Sequence, residues 1–154
     1  MLKKKIIIFL LLFLSSCGYE AIHSKKNVKY FEFSISKLSF SGDRDVNLKI
    51  KEILNNYTLN KKDKDFTLKI SSTSEKKTLA KNILGDATSF QKIIVLNIEV
   101  LENNKFKNNF TLSEKFTYNN NDNKFNLTTY EKEITKNLTE TTVDKLIFKL
   151  SNIQ

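Results

Sequence analysis

The chain has 154 residues, 26 basic against 17 acidic, with one cysteine, one histidine and no proline. Cys17 and His23 alone leave too little material for a disulfide framework, a thiolate metal centre or histidine-based nucleophilic catalysis. Carboxylate pairs such as Glu131/Glu133 lie two apart on a helical pattern and face different directions, so the expectation is a protein that is not an enzyme and carries no metal or cofactor.

Residues 1–16 read as an export signal. A basic start (Lys3, Lys4, Lys5) precedes an apolar run from Ile6 to Leu14 and a small-residue site. As a helix that run rises roughly 14 Å, against a hydrocarbon core of roughly 30 Å, and is too short to span it. Leu14-Ser15-Ser16-Cys17 resembles the lipobox of bacterial lipoproteins, which implies cleavage before Cys17 and acylation of its thiol and new amine, palmitate being a typical chain. A chance cysteine near an ordinary cleavage site and an uncleaved anchor are the competing readings. Removing residues 1–16 leaves 138 residues and lowers the basic count from 26 to 23, for a side-chain charge of about +6. Such a charge suits anionic lipid or an acidic partner. The bland reading is compositional, because Lys, Asn and Ile abound throughout, as in proteins from AT-rich genomes. Nucleic acid is not an expected partner for an exported protein.

Residues 17–29 lack a period and read as a lipidated tether, with His23 a surface residue in it. Residues 30–154 then form one domain. Phe31, Phe33 and Ile35 alternate. Leu38 and Phe40 continue in the opposite phase, which predicts a bulge near Ser36-Lys37. Ser41-Gly42-Asp43 is a turn and capping stretch, and Val46, Ile50, Ile53, Leu54 and Tyr57 form one stripe of an amphipathic helix. A second strand is predicted from about Asp65 to Ser74 on the alternation of Phe66, Leu68 and Ile70. Lys76 to Thr88 reads as a long connection. Phe90 to Leu101 is the strongest strand; Ile93 and Val95 make its start apolar on both faces, which predicts a central place in the sheet. Glu102–Lys105 is a turn, and Phe110, Leu112, Phe116 and Tyr118 alternate through a fourth strand. Asn119–Asn123 is a polar connection. A last helix opens on a capping box, Thr128 with Glu131, and carries Tyr130, Ile134, Leu138, Leu146 and Leu150 at four-residue steps, widened by Val143 and Ile147. Its threonines lower its intrinsic propensity, so packing must stabilise it.

The order β-α-β-β-β-α predicts an α+β two-layer sandwich: two helices on one face of a four-stranded mixed sheet, the first two strands parallel and the next two connections hairpins. Thr67, Lys69, Ser71, Asn97, Glu99, Thr111 and Ser113 would then form the polar opposite face.

Three stretches together resemble the LptE family of lipopolysaccharide-assembly lipoproteins in its alphaproteobacterial form. They are Cys17-Gly18-Tyr19 after the lipobox, Leu84-Gly85-Asp86-Ala87-Thr88-Ser89-Phe90 leading into the apolar strand, and Glu114-Lys115-Phe116-Thr117-Tyr118-Asn119 before the terminal helix. The sequence departs from the family's pattern at Glu20, Ala21 and Ile22, where proline and leucine are common, and at Ser89, where an arginine is common. The resemblance implies an outer-membrane lipoprotein, held at the periplasmic face by its lipid, that plugs an LptD-type β-barrel translocon and assists lipopolysaccharide assembly. It also implies that the connection after the second strand contacts lipopolysaccharide, so that Lys76, Lys77 and Lys81 would engage lipid A phosphates; the plain alternative is solvated loop lysines. The competing functional expectation is a generic outer-membrane lipoprotein adaptor with another protein partner.

Overall fold

A computed structural model describes residues 32–153. The signal segment, Cys17 and the tether lie outside those residues. Strand β1 (Phe33–Gly42), helix α1 (Arg44–Leu54), strands β2 (Lys64–Lys81), β3 (Ala87–Glu102) and β4 (Lys105–Asn119), and helix α2 (Lys124–Ser151) follow in order, with a single 3₁₀ turn, Asn55–Tyr57, after α1. The sheet order is β1-β2-β3-β4. β1 runs parallel to β2, and the other two pairs are antiparallel. The α+β sandwich expected from the hydrophobic pattern is the fold observed.

Both helices cover one sheet face. Phe66, Leu68 and Ile70 of β2 and Ile94, Leu96, Ile98 and Val100 of β3 are buried there against Val46, Ile50 and Leu54 of α1 and Leu146 and Leu150 of α2. Burying one face at period two is what the alternation in these strands specifies. The register of β1 on β2 shifts between Ile35 and Lys37, so Leu38 and Phe40 return to the core-facing row opposite Leu68 and Ile70. The predicted bulge is therefore present, and it repairs the phase of the apolar residues. The two-residue turn Asn103-Asn104 has both residues in the left-handed region (φ 52 and 61), the geometry that favours asparagine and closes β3 on β4.

β1 ends where Gly42 turns the chain into α1. Its φ is +93, and a Cβ there would stand 1.9 Å from the Ser72 carbonyl oxygen. The next residue, Asp43, caps α1: its side chain accepts from the Val46 amide, and its own amide donates to Ser72 O at 3.1 Å.

Two boundaries differ from the sequence reading. The stretch from Lys76 to Thr88 is not a long connection: β2 continues to Lys81, β3 begins at Ala87, and only residues 82–86 lie between. Beyond Ser72, the last partner of β1, nine residues of β2 run on beside β3; β4 accompanies β3 as far as Ser89 opposite Asn119, so only the end of this hairpin, the arm, stands clear of the sheet. At about 3.3 Å per residue β2 runs roughly 30 Å past the end of β1. The arm's residues lack an apolar alternation because neither helix covers its outer part, so the period-two signal has no cause there. The second difference is the start of α2, which lies at Lys124 with Asn123 as its cap and not at Thr128. Asn123 Oδ1 accepts from the Asn126 amide at 3.1 Å. Thr128 instead donates to the Lys124 carbonyl at 2.9 Å, inside the first turn. Tyr130, expected on the core stripe, is 48% exposed, whereas Ile134, Leu138, Leu146 and Leu150 are buried as expected. Thr139 and Thr142 are wholly buried and satisfy their hydroxyls on the carbonyls of Thr135 and Leu138, both at 2.7 Å.

Candidate functional site

The arm gathers the lysines that the sequence singled out, but it gives them different surroundings. Lys76 sits on the core-facing side of β2. Its ammonium lies 2.5 Å from Glu131 Oε1 on α2 and 3.9 Å from the centre of the Phe90 ring. Glu131 also accepts from the Tyr118 hydroxyl at 2.8 Å. Tyr118 packs on Phe90 (5.7 Å between centres) and edge-on against Tyr130 (6.0 Å). One carboxylate thus joins β2, β4 and α2 at the root of the arm, and Lys76 is a fastening residue there. Lys77 points to the opposite side and lies 3.5 Å from Glu75, both more than half exposed. Lys81, near the tip, has no ion pair among the described residues. The three lysines therefore do not converge. Lys77 and Lys81 are presented to solvent, whereas Lys76 is engaged.

Burial, then the hydrogen bond to Glu131 and the charge of that carboxylate, push the Tyr118 hydroxyl well above its ordinary value of 10.0. A raised folded value means the contribution is full below pH 10.0 and is lost as pH climbs through the folded value. Tyr118→Phe is expected to reduce the alkaline loss of stability. Urea unfolding midpoints taken from neutral pH into the alkaline range, for both chains, check this. Part of the alkaline loss should persist, because burial and then the charge of Asp144 also raise Tyr57.

At the tip, Asn82 organises the turn. Its side-chain oxygen accepts from the amides of Leu84 and Asp86, each at 2.9 Å, and its amide donates to the Asp86 carbonyl at 2.9 Å. Its side-chain nitrogen donates to the Asp86 carboxylate at 3.2 Å, and Gly85, at φ +91, supplies the left-handed residue. The turn holds Ile83 and Leu84 outward, 102% and 81% exposed. For function, the sequence reading singles out the lysines of this stretch and none of its aliphatic residues. The unusual signal is Ile83-Leu84 inside a turn otherwise made of Asn, Gly and Asp, where polar residues normally stand.

The open face of the sheet carries the expected polar row. Thr111 donates to Asn97 Oδ1 at 2.8 Å, and Lys69 pairs with Glu99 at 3.0 Å across β2 and β3. Ser39, Ser41, Ser71 and Asn109 line an open depression there together with Phe106. On the helical side, a cleft between α1 and α2 mixes Lys92, Lys132 and Lys136 with Asp43, Asp45 and Glu131. Among the described residues, no three His, Cys, Asp or Glu side chains are grouped to hold a metal, and no helix is long and apolar enough to cross a membrane.

Neither a protein-family model nor a curated protein sequence matches the chain. Solved structures do resemble it. Rare lipoprotein B from Shewanella oneidensis aligns over 75% of this chain and 97% of its own, with a TM-score of 0.54 and 14% identity. A minor lipoprotein from Acinetobacter baumannii aligns over 75% of this chain and 90% of its own, with a TM-score of 0.56 and 13% identity. Lipoprotein B from Nitrosomonas europaea aligns over 79% and 86%, with a TM-score of 0.53 and 12% identity. This chain therefore shares the fold of solved bacterial lipoproteins.

Proposed function

We propose that this protein is a lipid-anchored outer-membrane lipoprotein of LptE type, exposed to the periplasm, that assembles with an LptD-type β-barrel translocon and assists delivery of lipopolysaccharide to the outer leaflet. The observation that carries the reading is the β2–β3 hairpin that runs past β1, with Lys77 and Lys81 displayed on it, built on a fold shared with bacterial lipoproteins. The lipobox at Cys17 supports the anchor. Several acyl chains on one residue hold far more firmly than one, since each buried methylene contributes about 0.8 kcal/mol, whereas each lysine near an anionic surface adds about 1 kcal/mol. The polar open face suits the lumen of a large barrel, where lining side chains are polar. In this reading Lys77 and Lys81 meet lipid A phosphates, and Lys76 acts only by holding the arm to α2.

Affinity purification of the intact tagged lipoprotein from outer membranes tests the proposal. Recovery of a stoichiometric LptD-type barrel is the expected result. Recovery of the acylated protein without a barrel, under conditions that preserve barrel complexes, would sink it and favour an adaptor with another partner.

A further inference from the structure

The translocon reading uses Lys77 and Lys81 but not the aliphatic tip beside them. Ile83 and Leu84 are almost wholly exposed, and Leu79, on the same hairpin, is half exposed. Single exposed aliphatics are ordinary; adjacent ones at the end of a hairpin are not. The turn that holds them is pre-organised by Asn82 and Gly85, so little ordering remains to oppose an apolar contact. Lys77 and Lys81 stand behind them on β2, with long stems that let the ammonium groups reach a plane behind the tip. Within the turn the Asp86 carboxylate is taken up by Asn82, and the Glu75 carboxylate beside Lys77 is more than half exposed, so solvent screens that pair.

We infer that the 82–86 turn is a membrane-penetrating tip: Ile83 and Leu84 enter the acyl layer of a phospholipid bilayer, and Lys77 and Lys81 meet its anionic phosphate headgroups. The occupant is a lipid surface and not an apolar protein pocket, for two reasons. The tip is convex and only two or three side chains wide, which offers a protein partner little area. Cations directly behind exposed aliphatics also match the order of layers met on entering a bilayer, phosphate first and hydrocarbon beyond. The inference does not depend on a barrel partner or on lipopolysaccharide.

The test uses the full mature-length chain carrying Cys17→Ser, so that the lipid anchor does not contribute. The chain has no tryptophan, so Leu84→Trp places a single indole at the tip. With vesicles containing phosphatidylglycerol the indole emission is expected to shift to the blue and to be quenched by bromine on the acyl chains. Ile83→Ser with Leu84→Ser is expected to weaken vesicle binding roughly 100-fold. Lys77→Ser with Lys81→Ser is expected to weaken it and to flatten its salt dependence. Because all four side chains point to solvent, circular dichroism should be unchanged in each variant. Vesicle binding without acyl-chain quenching would overturn the inference and leave surface adsorption by charge. Binding to dispersed lipopolysaccharide with none to phospholipid vesicles would also overturn it, while supporting the translocon proposal.

Discussion

Gly42→Ala is expected to destabilise the protein by about 2–4 kcal/mol, whereas Gly85→Ala should cost only about 1–2 kcal/mol. Both glycines have a positive φ, +93 and +91, so an alanine is strained at either site. They differ in what surrounds them. A Cβ at Gly42 meets the Ser72 carbonyl oxygen at 1.9 Å, and a Cβ at Gly85 meets nothing within 4 Å. Relieving the clash at Gly42 must move β1 from β2 or break the bond from the Asp43 amide to Ser72 O, which also holds the capping residue of α1. Urea unfolding of the two variants in a non-acylated Cys17→Ser chain isolates the contact from the backbone strain they share. Equal losses would show that β1 is free to shift and that its end is not set by this close approach.

Phe66→Ala is expected to cost about 3–5 kcal/mol, the range for removing a large aromatic side chain from a closed core. Phe66 is wholly buried on β2, opposite Ile35, and its ring lies 5.9 Å from that of Phe33. A loss of that size is a large share of a typical domain's total stability and should lower the thermal midpoint by many degrees. Phe125→Ala on the first turn of α2 is the matched control. Its side chain is 79% exposed, and its loss should stay within about 0.5 kcal/mol. Comparable losses at the two sites would mean that Phe125 is covered in solution.

Most of the packed domain was legible because its residues answer to one strong rule. Wherever a strand or helix buries a single face, the apolar residues repeat at two or at 3.6, and that repeat is written in the chain. Phe66-Leu68-Ile70, Ile94-Leu96-Ile98-Val100 and Val46-Ile50-Leu54 each disclose their element and their inward side. The bulge in β1 was legible for the same reason, since the phase of Phe33 and Ile35 does not continue into Leu38 and Phe40. The start of α2 was misread because two polar candidates compete within a few residues. Asn123 caps the helix through its side chain, and the Thr128/Glu131 spacing imitates a capping box one turn later.

The sequence by itself determined the order of elements and the polar character of the open sheet face. These follow from local periodicity and from short motifs, which need no distant contact. Only the tertiary structure decided what becomes of residues 76–88. The outer part of this stretch has no face to bury, so no period marks it; it is extended because β2 and β3 pair backbone to backbone past the end of β1. Tertiary contacts also separate the three lysines. Lys76 meets Glu131, 55 positions away in sequence, while Lys77 and Lys81 remain on the outside of the arm. A strand sends alternate side chains to opposite faces, and only the packing of α2 on one of those faces determines which lysine is held and which are displayed.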